Sequence, residues 1–336
     1  IQFKMILFRC DAGPEVGLGH LIRSSVLGVE LSKITNKKIT FVINSSEKII
    51  SKYLDRNYFN IIQSYTKIGT DDDFKFFKNY MQDDCLLIVD SRFVRQKDIN
   101  YWSSYSYLIG INDGINKLSW PIILDYNLDA KKRNSYDLIG PKYNLINSNF
   151  FYEIEKNQGL PRVLITMGGE DPENLTSWII KNGAKALEKF DVRVIIGAAH
   201  PDSQTVKSDI SKYLPKADII DSPPNLVDHA IWSNFAITAG GMSAYELAAS
   251  GNTLIGIALE KHQVPLLKSM DEIGALDYLG EYRDITEAKL ITCLGKLFDD
   301  SVKADKLRNS AKKIFPSSGS HLAAARILDL WRHKLV

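Results

Sequence analysis

Short runs of apolar, β-branched residues recur along the chain, at 5–8, 39–43, 61–62, 86–89, 108–111 and 122–124, with helix-like segments between them. This is the grammar of βα units around a parallel sheet, whose strands are buried on both faces and read as continuous apolar runs. A second series follows, with strand candidates at 163–167, 192–196, 235–238 and 254–258 alternating with helical segments near 174–189, 225–233, 244–250 and 262–273. The linking segments suit helices. Segment 21–32 has Ile22, Val26 and Val29 at apolar positions, and 71–81 opens on three aspartates, which favour a helix N-terminus. Between the two series lies a turn-rich stretch containing Gly140-Pro141-Lys142-Tyr143 and several Asn. After 285 the pattern is purely helical, ending in a segment at 320–334.

The predicted fold class is therefore α/β, with two doubly wound Rossmann-like domains facing a cleft: 1–135, a linker at 136–160, and 161–336 with helices that close the structure. A length of 336 residues suits two cores better than one. Residues 1–4 read as a leader outside the fold.

Composition narrows the function classes. Lys plus Arg number 42 against 40 Asp plus Glu, so the net charge of +2 argues against a nucleic-acid surface. No segment approaches the roughly 20 uninterrupted apolar residues that a membrane span needs, and a cytoplasmic monomer is expected. Cys10, Cys85 and Cys293 have neither disulfide nor metal spacing and read as reduced core thiols.

In doubly wound sheets ligands bind beyond the carboxyl ends of the strands, so the loops that follow strands hold the candidates. The first is Arg9-Cys10-Asp11 running into Gly17-Leu18-Gly19-His20-Leu21-Ile22-Arg23. Its glycines permit a tight path into a helix N-terminus, where a histidine is disfavoured as a cation and stays available as a base, with Asp11 to orient it. By itself such a turn reads as structural; Arg9, Asp11 and Arg23 beside it shift the balance, because that many polar groups are costly to bury unless they pair or act. It is neither a Gly-x-Gly-x-x-Gly fingerprint nor a P-loop, which argues against a nicotinamide-dependent dehydrogenase.

The second candidate is Gly168-Gly169-Glu170-Asp171-Pro172, whose Asp-Pro pair reads as a helix cap followed by a first-turn proline. The third is Gly240-Gly241-Met242-Ser243-Ala244-Tyr245-Glu246, in which backbone N–H groups at a helix start suit a diphosphate and Glu246 suits ribose hydroxyls. A fourth loop, Glu260-Lys261-His262-Gln263, would neighbour the third in a parallel sheet. Each also serves as an ordinary helix start.

In this order, Arg9-x-Asp11, Gly17-x-Gly19-His20-x-x-Arg23, Gly168-Gly169-x-Asp171-Pro172 and Gly240-Gly241-x-Ser243-x-x-Glu246 resemble the UDP-2,4-diacetamido-2,4,6-trideoxy-β-L-altropyranose hydrolases of pseudaminic acid biosynthesis. Fainter echoes are Asp90-Ser91, Asn112-Asp113, Asn127 and Gly140-Pro141-Lys142-Tyr143-Asn144. The resemblance implies a glycosyltransferase-B-like fold and hydrolysis of a UDP-sugar to release UDP, with neither metal nor cofactor. It makes His20 the base that activates water, places the diphosphate at Gly240-Gly241-Met242-Ser243, and gives the ribose to Glu246. Substrate contacts are expected from Arg9, Gly17, Gly19, Arg23, Gly169, His262 and Gln263. Two departures stand out: His262 where the family commonly has Asn, and Asn112 where it more often has Asp. A glycosyltransferase using a non-water acceptor, or a non-catalytic nucleotide-sugar binding subunit, are the alternative readings.

Overall fold

The computed structural model describes residues 5–13, 16–81, 84–111, 118–152 and 159–334. Residues 1–4, Asn112 and Asp113 lie outside them. The chain divides into two compact units, one running to Asn147 and rejoined from Ser318 onward, the other spanning Ser148–Ser317.

The first unit is built on seven strands: β1 (Ile6–Asp11), β2 (Ile39–Asn44), β3 (Phe59–Gln63), β4 (Cys85–Asp90), β5 (Ser106–Ile111), β6 (Ile122–Asp125) and β7 (Leu138–Ile139). All pairings are parallel and the order is β3-β2-β1-β4-β5-β6-β7. The chain winds outward in one direction from β1 and in the other from β4, so the switch point of the sheet lies between those two strands. Helices α1 (Gly19–Thr35), α2 (Glu47–Tyr53), α3 (Asp71–Lys78) and α4 (Gln96–Ser103) connect the early strands. Leu7, Val42, Leu87 and Val89 from the sheet pack with Phe77 and Trp102 in one fully buried cluster, as the apolar runs require.

The second unit repeats the plan. Strands β8 (Arg162–Thr166), β9 (Asp191–Ile196), β10 (Asp218–Asp221), β11 (Phe235–Ala239), β12 (Thr253–Ala258) and β13 (Asp277–Glu281) lie in the order β10-β9-β8-β11-β12-β13, again all parallel. Its switch point is between β8 and β11. Its helices are α5 (Leu175–Leu187), α6 (Ser203–Tyr213), α7 (Val227–Trp232), α8 (Met242–Ala249), α9 (Val264–Glu272), α10 (Glu287–Asp299) and α11 (Ser301–Ile314). The last helix, α12 (Ser320–His333), belongs to the first unit and packs on α1.

That return moves the boundary drawn from chain position, which gave the whole stretch 161–336 to the second domain. The reason is apolar: α12 buries Ala323, Ala324, Ile327, Leu328 and Leu330 in the first unit. The re-entry is tight. Ser318 Oγ donates to the Ile146 carbonyl at 2.6 Å, and a Cβ at Gly319 would stand 2.4 Å from the Lys142 carbonyl oxygen. The expected linker accordingly contributes β7 and the segment 142–146 to the first unit. The three cysteines are buried thiols, and among the described residues no helix is long and apolar enough to cross a membrane.

Candidate functional site

In the first unit the candidates gather at the carboxyl ends of β1 and β4, on either side of the switch point. β1 ends at Asp11, and the chain closes a small loop through reciprocal backbone bonds of Gly13 and Gly17. Gly17 has φ +71, a conformation open to glycine and strained for most other residues. α1 then starts at Gly19 with no side chain capping it, which puts His20 in its first turn.

His20 is 8% exposed. Its Nδ1 lies 2.6 Å from Oδ1 of Asp90, the last residue of β4, which the register places beside Cys10 of β1. Asp90 is fully buried and heavily supported: Arg23 donates from Nε to Oδ2 (2.6 Å) and from Nη2 to Oδ1 (2.5 Å), and Ser24 Oγ donates to Oδ2 (3.2 Å). Burial alone would raise the Asp90 carboxyl; Arg23 and His20 outweigh it and hold the group at about 2. An ionised Asp90 accepts only, so a neutral His20 bonded to it carries its proton on Nδ1 and leaves Nε2 as the lone-pair nitrogen, while Arg23 Nη2 stands 3.0 Å from the same Nδ1. Among the described residues nothing else hydrogen-bonds to Nε2.

Two expectations are corrected here. Asp11 does not orient His20. Its Oδ2 accepts from Ser91 Oγ at 2.8 Å, and burial pushes its carboxyl up against the opposing pull of Arg9 and Ser91. Arg9 is not disposed to touch a substrate either. It is fully buried, with Nη1 donating to the carbonyls of Cys10 and Val42 and Nη2 to Asp73 Oδ1 (2.5 Å) and the Thr66 carbonyl, tying α3 and the loop after β3 to the sheet, while its Nε has no partner among the described residues. Asp90 is the residue that reading the motif by itself did not assign.

In the second unit the candidates lie after β8, β11 and β12. The Gly168-Gly169 turn follows β8, with Gly168 at φ +85 and no described atom within 4 Å of a Cβ built at Gly169. Asp171 does serve α5, but from upstream: its oxygens accept from Leu175 N–H (2.8 Å) and Thr176 N–H (2.9 Å), while the helix begins at Leu175 and leaves Pro172 outside. After β11, Gly241 (φ +140) precedes α8, whose first turn, Met242 and Ser243 included, has no side-chain cap. Backbone N–H groups in such a turn favour an anion.

The loop after β12 is its neighbour, since Gly240 packs on Gln263, where a Cβ would stand 2.6 Å from Gln263 Cβ. Gln263 also accepts from Leu259 N–H at 2.8 Å and so shapes its own loop, whereas His262 is exposed and paired with Glu260 at 3.0 Å.

Glu246, one turn into α8, is 8% exposed and accepts no side-chain hydrogen bond among the described residues; burial pushes its carboxyl from 4.5 to about 7. An acid raised in the folded state supports folding below its unfolded value of 4.5 and loses that support as pH climbs through about 7. The displacement corresponds to about 3 kcal/mol. Glu246→Gln is accordingly expected to be more stable than wild type by about 1 to 3 kcal/mol at pH 8, with the gain gone near pH 4.5. Urea melts of both proteins across that range check it, and parallel curves would refute it.

No family model matches the chain. Two relatives do. An uncharacterised Methanocaldococcus jannaschii protein, MJ1062, is 26% identical over 258 residues, 70% of this chain and 52% of that protein, so the match spans about half the relative's length. The spore coat polysaccharide biosynthesis protein SpsG of Bacillus subtilis is 22% identical over 97% of this chain and 98% of its own.

Among solved structures, the glycotransferase of kitacinnamycin superposes with TM-score 0.72 at 12% identity (98% and 99% of the two chains). Spinosyn rhamnosyltransferase SpnG complexed with thymidine diphosphate gives 0.68 at 11% (97% and 100%). S. aureus MnaA in a co-structure with UDP gives 0.66 at 14% (99% and 97%). With two parallel sheets of the same winding and these neighbours, the chain has a glycosyltransferase-B-like fold.

Proposed function

We propose that the protein is a hydrolase that releases UDP from a UDP-linked 2,4-diacetamido-2,4,6-trideoxy hexose by attack of water on the anomeric carbon, a step in nonulosonic (pseudaminic) acid formation. The observation that carries this reading is the His20–Asp90 pair, an imidazole held through Nδ1 by a buried carboxylate, with no described partner on its second nitrogen. The water oxygen bonds to C1 and the bond from C1 to the diphosphate oxygen breaks. The water proton passes to His20 Nε2, and UDP leaves with the electron pair. Base assistance of this kind contributes about 10²- to 10⁴-fold.

The uncapped first turn of α8 offsets the charge growing on the diphosphate, and Glu246, ionised above about pH 7, accepts from the ribose hydroxyls. Gly169 and Gln263 serve the ligand through backbone and amide groups. The choice of sugar rests on the motif resemblance; nucleotide binding gains support from the UDP and thymidine diphosphate held by MnaA and SpnG.

The kitacinnamycin glycotransferase and SpnG favour a second reading, transfer to an acceptor other than water. One incubation separates them. With the donor alone in ¹⁸O-water, free sugar is expected in step with UDP, with the isotope on the sugar and none on UDP. UDP release only after a saccharide acceptor is added would instead establish the transferase.

A further inference from the structure

The loop that follows β9, Gly197-Ala198-Ala199-His200, runs directly behind the Gly168-Gly169 turn. Ala199 N–H donates to the Gly169 carbonyl at 3.0 Å. Gly197 leaves no room for a side chain, because a Cβ there would stand 2.3 Å from the Gly169 carbonyl oxygen and 2.4 Å from that of Gly168. His200 closes this contact. Its side chain is 1% exposed, and its Nε2 faces Oδ2 of Asp171, itself 3% exposed, at 3.4 Å. Nδ1 accepts from Asp202 N–H at 3.0 Å, so the ring proton sits on Nε2, beside the carboxylate but without a hydrogen bond to it.

Nε2 has no hydrogen-bond partner, although it is shut away from solvent. The same Asp171 carboxylate anchors the start of α5. His200 thus links the β9 loop, through Asp171, to both the glycine turn and the helix that follows it.

We propose that His200 is a positioning residue for the nucleotide-sugar: acting through Asp171, it clamps the Gly168-Gly169 turn in the backbone conformation that meets the diphosphate-sugar. The functional half of this rests on the nucleotide-sugar reading above. Two successive glycines are the most mobile pair a turn can have, and Gly168 sits at φ +85. A turn left to order itself on binding gives up affinity, roughly 5- to 30-fold for each residue that must be fixed. A clamp set during folding removes that loss.

The test uses the two amides that mimic one imidazole nitrogen each. His200→Asn keeps an acceptor near Nδ1 and loses the donor toward Asp171; His200→Gln keeps a donor near Nε2. Hydrogen exchange of the full chain without ligand, and calorimetric titration with UDP, are run on both. In H200N the Ala199 amide is expected to exchange faster and UDP affinity to fall roughly 5- to 30-fold, with exchange in β1 and β4 unchanged. H200Q is expected to keep both near wild type.

Wild-type exchange in H200N, or faster exchange with undiminished UDP affinity, overturns the proposal. Equal losses in both variants also overturn it, since they assign the ring to core packing. Wild-type protein that binds no UDP overturns the nucleotide reading and with it the functional half, while the exchange comparison still decides the clamp.

Discussion

Replacing His20 by alanine is expected to lower kcat about 10³- to 10⁴-fold while UDP binds as tightly as before. The split follows from where the residue sits. His20 belongs to the first turn of α1 and touches Asp90, whereas the groups assigned to the nucleotide lie after β8 and β11. The alanine variant leaves the Arg23–Asp90 pair and Ser24 in place, so the buried carboxylate keeps its charge partner and the fold is not put at risk.

His20→Asn refines the test. An asparagine amide reaches the position of Nδ1 and can still donate to Asp90, but it has nothing at Nε2; it is expected to be as inactive as the alanine variant. Single-turnover release of UDP, with UDP affinity measured alongside, checks both. Turnover within about threefold of wild type in either variant would remove His20 from the role of base.

The inner strands were readable because burial on both faces favours continuous apolar runs: β4 and β8 carry them between polar ends, β12 is broken only by Gly256, and β1 opens on Ile6-Leu7-Phe8 before the buried Arg9 and Asp11. β10 and β13 gave no such signal. β10 is a four-residue edge strand whose Ile219 and Ile220 are flanked by aspartates and only partly buried, and β13 is half-buried, with Gly280 at a register shift. The place of α12 was hidden too, because an amphipathic helix declares that it packs and not against which core.

The site divides along the same line. His20, Gly17 and the uncapped start of α8 are local features and could be found in the sequence. The partnership of His20 with Asp90 spans 70 residues and exists only because β4 lies beside β1, and Arg9 loses its expected ligand role only because Asp73 and three carbonyls meet it inside the fold.

Asp90→Asn is the second large effect, and it separates positioning from binding. In the wild type one carboxylate accepts from both His20 Nδ1 and the Arg23 fork. An asparagine offers a single acceptor oxygen, and its NH2 faces either the guanidinium or the imidazole with a donor opposed to a donor. His20 then takes the other tautomer or rotates, and Nε2 is no longer the basic nitrogen at the mouth of the turn. A fall in kcat of about 10²- to 10⁴-fold is expected, with KM within a few-fold of wild type.

The same change leaves Arg23 buried without a full counter-charge, which costs about 3 to 5 kcal/mol in folding stability. Turnover is therefore scored per UDP-binding site titrated in the same sample, so that unfolded chains do not count as slow enzyme. Ser24→Ala supplies the control: it removes one 3.2 Å bond to Asp90 and leaves both the charge and the tautomer alone. It should cost about 1 kcal/mol of stability and leave kcat nearly unchanged. Asp90→Asn with wild-type turnover per competent site would reduce Asp90 to a structural counter-ion of Arg23 and leave His20 to be oriented by something else.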